Sequence, residues 1–446
     1  MALAEVVVDV IEETTQPALL NTFTLAVLSL LSMSPNLEAA EAEYLDLNSE
    51  FSHYEEGKNR IKVDVYQAAA AIPLTDRLNF RVNSVKDIVT GASPVTNTLK
   101  SNGQVSQMMS GASIKDVRDS IDGTATYKHD YGSLSLGGGV STENDYTSNF
   151  FNIDSRLDFN QKTTTLETGY GFSSDRVWAV DHCPPHCLSD SSASLSSSSG
   201  LSDSSSGLSS TSTLSSPPAP SSYKRPNVGG DKTTHQGIVG VTQILDKDSL
   251  LQANLTYTYS QGYLSDPYKV VYTPWVTTPY PFYSDAGGYS HDTRPTNRNQ
   301  VAILTRYVRH FSKLNSAAVH LDYRFYADTW GVIAHTFEAT WIQPIWQDWK
   351  ISPTVRYYTQ GSADFYQPYF LTPRADGYYS SDYRLAQFGS LGGGLQLSKE
   401  FFDQLTLGFG VDFYERRNSY SLNSGAGTSV DNFNFSMYNA KINFKF

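Results

Sequence analysis

After residue 33 the sequence has no hydrophobic run long enough to form a transmembrane helix. Charged residues make up only 17% of its 446 residues, and the net charge of -12 argues against a nucleic-acid partner, since phosphate binding requires clustered cations. Two cysteines cannot form a disulfide framework. Aromatic residues are abundant at 13%, with 29 Tyr. The length suits two or three ordinary domains or one large barrel, and this composition favours a membrane β-barrel.

The first 42 residues predict an exported protein. The apolar segment 17–33 has the length of a signal-peptide core, and small residues follow at 40–42, where a signal peptidase would cut. The residues before it are acidic and include no Lys or Arg, which is unusual for an export signal. Either the true start lies downstream, or the signal is atypical, or the segment is an amphipathic helix. We expect a signal peptide at 1–42 and one β-domain at 43–446.

The β-domain is divided into segments in which apolar and polar residues alternate. In one of them Leu251, Ala253 and Leu255 oppose Gln252 and Asn254, the period of two that is typical of a strand. Other strands should have an apolar face in the same way, and we expect this face to meet lipid outside the barrel while the polar face meets water inside. One of these strands carries Ile61, Val63 and Val65. Sixteen segments fit, near 43–54, 60–71, 77–90, 114–128, 132–146, 148–160, 163–178, 232–246, 249–263, 297–311, 317–330, 332–345, 350–361, 381–398, 403–418 and 431–446.

The connectors alternate between short and long. Those that are long include 91–113, 179–231, 264–296, 362–380 and 419–430. Short turns on one rim, long loops on the other and an even strand number are typical of outer-membrane barrels, with both termini in the periplasm. A soluble β-sandwich or propeller would also alternate, but with shorter strands. We therefore predict an all-β fold, a single transmembrane antiparallel up-and-down barrel of about sixteen strands.

The chain ends on an aromatic residue of the last predicted strand. Tyr438, Ile442, Phe444 and Phe446 share one parity, which we expect to face lipid. This ending resembles the assembly signal that the barrel insertion machinery of the outer membrane reads. The expected partners are therefore outer-membrane lipid and that machinery.

The connection 179–231 contains a serine tract at 188–222, which is too polar to fold on its own. We expect a disordered extracellular insertion; a surface-contact or glycan-bearing tract is the alternative. Before it lie two thiols and two imidazoles, on His182, Cys183, His186 and Cys187. A Cys183–Cys187 disulfide or no role is favoured over zinc or copper binding, because Pro184 and Pro185 prevent a helical turn that would bring the ligands together.

Motifs of catalysis are missing from the sequence: it has no Gly-x-Ser-x-Gly, HExxH or P-loop, and its nine histidines are scattered. We expect neither an enzyme nor a bound cofactor. Charges on predicted strands should face the lumen, since Arg or Lys facing lipid at mid-depth costs about 2 to 4 kcal/mol. Such charges form ordinary ion pairs of the wall or a selective constriction. The lumen-lining candidates are Asp322, Arg324, Asp328, Arg356, Asp382 and Arg384.

Several stretches resemble a domain-of-unknown-function family of outer-membrane barrels. They are DIVTGASP (87–94), GVTQIL (240–245), GYLSDPYK (262–269), DTRPTNR (292–298), YRFYADTWG (323–331), RYYTQGSADFY (356–366) and SSDYRLAQFG (380–389). The resemblance implies an exported barrel, and its gene neighbourhood, with a small lipoprotein, a thioredoxin-like protein and a flavin-transferring enzyme, hints at envelope redox or metal handling. It implies no catalytic residues, and the serine tract departs from it.

We therefore expect a porin-like channel or conduit in the outer membrane of a Gram-negative bacterium, for a solute that the sequence does not identify. One alternative is a barrel that conducts nothing and holds a periplasmic or lipoprotein partner with a redox or metal-handling role. A barrel enzyme is a weaker alternative. Whether 264–296 enters the lumen is left open.

Overall fold

A computed structural model describes most of the β-domain. The described residues are 45–57, 60–91, 94–99, 105–109, 114–179, 228–277, 288–346, 348–402, 404–422 and 432–446. The predicted signal peptide at 1–42, the residues His182, Cys183, His186 and Cys187, and the serine tract at 188–222 lie outside this part of the chain.

The described residues confirm the predicted fold, because sixteen of their strands form one closed antiparallel barrel. These strands are β1 (Asp46–Glu56), β2 (Ile61–Thr75), β3 (Leu78–Gly91), β6 (Ile114–His129), β7 (Gly132–Thr142), β8 (Tyr146–Phe159), β9 (Thr164–Trp178), β10 (Gly229–Asp246), β11 (Ser249–Gly262), β14 (Asn297–Phe311), β15 (Ala317–Asp328), β16 (Ile333–Pro344), β17 (Trp349–Gln360), β18 (Phe388–Phe401), β19 (Leu405–Arg417) and β20 (Phe433–Lys445). Each strand pairs with the next, and β20 pairs with β1 to close the circle.

Two short hairpins lie in the connections. β4 (Pro94–Leu99) pairs with β5 (Val105–Met109), and β12 (Val270–Tyr272) pairs with β13 (Tyr289–His291). Short 3-10 turns occur at Ser312–Leu314, Tyr383–Leu385 and Asn418–Tyr420. Within the residues that the structure describes, no helix is long and apolar enough to cross a membrane.

The alternation of the sequence separates an apolar outer face from a polar inner face. Leu255, Phe151 and Phe409 are among the large apolar side chains that are exposed on the outside. The neighbouring parity carries buried polar residues such as Asn152 and Asn254. A strand wall of this kind suits oil outside and water inside.

The expected outward face of β2 is wrong, because Ile61, Val63 and Val65 all lie on the inner face of the barrel. Ile61 and Val63 are 3% and 2% exposed and lie inside the barrel, in a cluster with Tyr54, Phe435 and Met437. Period two shows that two faces differ but cannot show which one meets lipid. Around this cluster the inner space is filled, so apolar residues are stable there.

The two rims differ as predicted. Seven turns join the strands at one rim, here called the short-turn rim: 76–77, 130–131, 160–163, 247–248, 312–316, 345–348 and 402–404. Both barrel ends lie at this rim, where Asp46 pairs with Lys445. The long connections all lie at the opposite end, the long-loop rim. Two predicted boundaries are wrong: the strand expected at 381–398 begins only at Phe388, and the strand expected at 132–146 ends at Thr142.

Candidate functional site

The inner face of the barrel becomes more buried from the short-turn rim to the long-loop rim. Along β1, Asn48 is exposed and Glu50 half-buried, whereas Ser52 and Tyr54 are 7% and 1% exposed. The adjoining strand β20 shows the same trend, since Met437 is 1% exposed near the long-loop rim. On these two strands the inner face is therefore exposed towards the short-turn rim and covered towards the long-loop rim.

Three described stretches, 263–277, 288–296 and 361–387, lie across the long-loop rim, and we call them the mouth segments. Thr293 and Tyr379 exchange both backbone hydrogen bonds, each with an N···O distance of 2.9 Å. Phe370 N–H donates to the carbonyl of Tyr272 at 3.2 Å. These bonds join the connection after β11 to the connection after β17, so the mouth segments form one unit.

The mouth segments reach across the barrel. Tyr268 donates its hydroxyl to Asp145, in the turn between β7 and β8, at 2.6 Å. The next residue, Lys269, places Nζ 5.2 Å from the ring centre of Tyr383. Arg416, on β19, lies 4.6 Å from the same ring. Eight barrel strands separate β8 from β19 on one side and six on the other. This row of contacts therefore joins nearly opposite walls.

Six buried charged residues hold the mouth segments together, and we call them the mouth network. Arg294 donates through Nε to Asp292 at 2.6 Å and through Nη2 to Asp382 at 2.7 Å. Arg384 donates to Asp382 through Nε at 2.7 Å and to Asp266 through Nη2 at 3.0 Å. With Lys269 the network has three carboxylates and three cations. All six are at most 8% exposed.

The electrostatics of the mouth network centre on Asp382. Burial by itself would raise the pKa of Asp382, but Arg384, Lys269 and Arg294 together outweigh burial and hold that pKa well below its usual range. Burial lowers the pKa of Lys269 from 10.5 to about 8, and Arg384 and Arg294 add to this effect against the carboxylates. Lys269 is therefore the cation of the network whose charge changes at mildly alkaline pH.

An apolar cluster supports the network from the wall side. Trp330 and Phe365 meet edge to face with ring centres 5.2 Å apart, and Leu385 packs in the same cluster. Gln360, the last residue of β17, donates to the carbonyls of Arg384 and Ala386 at 2.9 and 2.6 Å. The mouth segments are thus attached to the barrel by packing as well as by charge.

Below the mouth, four charged residues of the inner wall lie in register on adjacent strands. Arg306 on β14 is opposite Asp322 on β15, Asp322 is opposite Glu338 on β16, and Glu338 is opposite Arg356 on β17. Arg306 Nε lies 2.9 and 3.0 Å from the two oxygens of Asp322. Arg324 lies on the same inner parity, two residues nearer the long-loop rim. We call the first four the wall row.

The predicted lumen-lining residues occupy three places. Asp322 and Arg356 belong to the wall row and Arg324 lies beside it, whereas Asp382 and Arg384 precede β18 and belong to the mouth network. Asp328 is enclosed at the end of β15, where its carboxylate accepts hydrogen bonds from Arg298, Tyr326 and the backbone N–H groups of Trp330 and Val332.

The sequence reasoning missed Arg306 and Glu338, and four of the six members of the mouth network. Period two could have identified Glu338, which shares its parity with Thr336 and Thr340. Arg306 lies between Leu304 and Val308 on its parity, so alternation gave no signal for it. Asp266 and Lys269 lie in GYLSDPYK, and Asp292 and Arg294 lie in DTRPTNR. Both stretches are among those that resemble the family. The opposite charges within them were the signal that could have indicated a buried charge network.

The residues of the predicted assembly signal lie on β20 and just after it. Tyr438 and Ile442 are exposed on the outer face, and the rings of Phe444 and Phe446 are 4.3 Å apart. Phe446 N–H donates to the carbonyl of Leu45 at 2.9 Å. The last residue therefore takes part in closing the barrel.

These features define a class of protein: a large β-barrel of the outer-membrane type, with a polar inner wall and buried segments across one mouth. The chain belongs to the family described as "Protein of unknown function (DUF3570)", whose model matches residues 19–437. The resemblance stated from the sequence is thereby confirmed. Comparison with curated proteins gave no match.

Solved barrels are similar in architecture but distant in sequence. A bacterial polysaccharide outer membrane secretin is 7% identical with a TM-score of 0.45, over 91% of this chain and 99% of that one. The CymD monoaromatic hydrocarbon channel is 10% identical with a TM-score of 0.40, over 93% and 92%. A mutant of the ferric enterobactin receptor from Pseudomonas aeruginosa is 9% identical with a TM-score of 0.41, and the match covers 84% of this chain but only 53% of the receptor.

Proposed function

We propose that the protein is a channel for small polar solutes in the Gram-negative outer membrane, closed at its outer mouth by the mouth segments. The long loops face outward, and the short turns and both ends of the barrel face the periplasm. The observation that carries the proposal is the burial gradient of the inner face. A wall that is wet at one end and covered at the other suits a conduit with a closure at one mouth.

The chemistry of the closure favours one that can open. Burying ion pairs stabilises a fold poorly, because each charge loses its hydration. If the mouth segments move apart, the six charges of the mouth network regain water, which offsets much of the loss of their ion pairs. A purely apolar closure would instead expose oily surface on opening. The mouth network therefore allows an open state at a moderate free-energy cost.

The wall row is the proposed selectivity element. Fixed charges in a narrow aqueous pore set the local concentration of mobile ions. Two arginines and two carboxylates in register balance one another, which suits a solute with polar groups rather than a strong net charge.

Solute uptake by proteoliposomes tests the proposal. We expect Asp382→Asn to raise the rate of swelling in small sugars or amino acids several-fold over the wild type, because it removes the carboxylate that both Arg294 and Arg384 bind. The matched control is Asp376→Asn, which lies in the same mouth segment but pairs with Arg374 in an exposed position. The control should swell like the wild type.

Two outcomes would contradict the proposal. Equal rates for Asp382→Asn and Asp376→Asn would show that the mouth network does not control the path. If no variant takes up solute although each forms a heat-modifiable barrel, a barrel that holds a partner protein becomes the better account.

A further inference from the structure

Three carboxylates meet at the long-loop rim beside the mouth. Asp116 lies near the start of β6, and Glu143 and Asp145 lie in the turn between β7 and β8. One carboxylate oxygen from each lies within 4.8 Å of the other two. The turn is held by its backbone: Glu143 N–H donates to the carbonyl of Tyr146 at 2.8 Å, and Trp178 N–H donates to the backbone carbonyl of Asp145 at 2.9 Å.

Asp145 provides an independent sign of a ligand. Its side chain is buried, with the residue 1% exposed, and its Oδ2 accepts the hydroxyl of Tyr268 at 2.6 Å. Its Oδ1 is also buried and has no hydrogen-bond partner among the described residues. A buried carboxylate oxygen without a partner is costly. A bound cation would supply the missing partner.

Two neighbouring polar side chains of the described residues have contacts of their own. Arg118, two residues along β6 from Asp116, forms an ion pair with Asp87, and both side chains are at most 6% exposed. Asn144 donates its side-chain N–H to Asp116 Oδ1 at 3.1 Å, which orients that carboxylate. The cluster thus brings three carboxylates together, and the carboxylate of Asp116 is held in one orientation.

We infer that Asp116, Glu143 and Asp145 form a binding site for one divalent cation of the calcium type. The donor set consists of oxygen atoms alone, which hard cations prefer to nitrogen or sulfur ligands. Calcium accepts irregular sets of carboxylates and completes its shell with water, whereas magnesium requires near-ideal octahedral geometry. Glu143 is half-buried as a residue, and both of its carboxylate oxygens are buried beside those of Asp145.

The site has a mechanical consequence for the mouth. Tyr268 belongs to a mouth segment and donates to Asp145 directly, so a cation that fixes Asp145 also fixes the wall end of that segment. The binding of calcium itself does not depend on the proposed function, and the experiment below measures it without any transport.

Calorimetric titration of calcium chloride tests the site. The full chain is refolded into detergent, which avoids lipopolysaccharide phosphates, and is treated with a chelator before the titration. We expect one site per chain in the wild type. Asp145→Asn and Glu143→Gln should each weaken binding by more than about tenfold, since affinity follows the number of charged ligands.

Two further variants make the result decisive. Asp130→Asn, in an exposed turn at the opposite rim, should bind like the wild type. Tyr268→Phe keeps all three carboxylates and removes the hydrogen bond to Asp145, so about a tenfold loss is expected for a partner of a ligand. Each variant is first shown to be a heat-modifiable barrel. Absence of calcium binding by the wild type, or equal affinities for Asp145→Asn and Asp130→Asn in folded protein, would overturn the inference.

Discussion

At the residue scale, the aspartates on or near the inner wall differ in the groups that their carboxylates bind. Asp328 is enclosed by hydrogen-bond donors at the long-loop end of its strand, Asp322 binds an arginine on the adjacent strand, and Asp382 joins two arginines in the mouth. Parity predicts that the first two face inward, and it predicts nothing about their partners. The roles separate only when the neighbouring strands and the mouth segments are in place.

Arg324 tests the inner face of β15. In a background with Cys183→Ser and Cys187→Ser, Arg324→Cys should react with a small, membrane-impermeant thiol reagent in proteoliposomes, because its side chain is on the parity that faces water. Tyr323→Cys, on the lipid-facing parity, is the control and should react slowly or not at all. Faster labelling at 323 than at 324 would reverse the assignment of the two faces.

Lys269 predicts how the closure depends on pH. Its pKa is about 8 in the closed mouth and 10.5 ordinarily, a value that it approaches when opening restores water. Between these values the open state binds more protons, so rising pH favours the closed state. Solute uptake should fall from pH 7.5 to 9.5, by at most about tenfold per pH unit.

The variant Lys269→Met is the control for this pH dependence. It removes the titrating group, so its uptake should vary little over the same interval. An uptake that rises with pH in the wild type, or falls equally in Lys269→Met, would show that another group controls the closure.

At the element scale, the sixteen strands could be predicted because each has to alternate along its own length. Two of the errors have clear local causes. The apolar parity of β2 faces inward and not towards lipid, because Ile61 and Val63 pack against other apolar side chains inside the barrel near the long-loop rim. The start of β18 was placed too early because Asp382 and Arg384 lie in a segment whose alternation continues into the strand.

The end of β20 gives a test of assembly. Deletion of Phe446 removes an outward-facing aromatic ring and the hydrogen bond to Leu45, so the amount of heat-modifiable barrel in outer-membrane fractions should fall. Phe446→Tyr keeps the ring and the backbone bond and should assemble normally. Unchanged yield after the deletion would show that the terminal residue is dispensable for assembly.

At the scale of the whole molecule, the closed mouth depends on contacts between residues far apart in the chain. Tyr268 and Asp145 are 123 residues apart, and Arg294 and Asp382 are 88 apart. The mouth segments have little regular secondary structure, so periodicity gave no guide to how they fold. Composition and alternation therefore predicted the barrel, whereas the closure required the structure.

A disulfide across the mouth tests the central claim, that the mouth segments close a conducting barrel. Thr293 and Tyr379 form a hydrogen-bonded antiparallel pair, in which Cα atoms are about 5.5 Å apart, a distance that a disulfide can span. The variant combines Thr293→Cys and Tyr379→Cys in the background that lacks Cys183 and Cys187. The two single-cysteine variants are the controls.

The measurement is single-channel current across a planar bilayer before and after a reducing agent is added. The account predicts no openings while the disulfide is intact and openings after reduction, with no effect of the reducing agent on either single-cysteine variant. Equal currents in the oxidised and reduced states would contradict the closure, and silence in the reduced and wild-type proteins alike would contradict the channel.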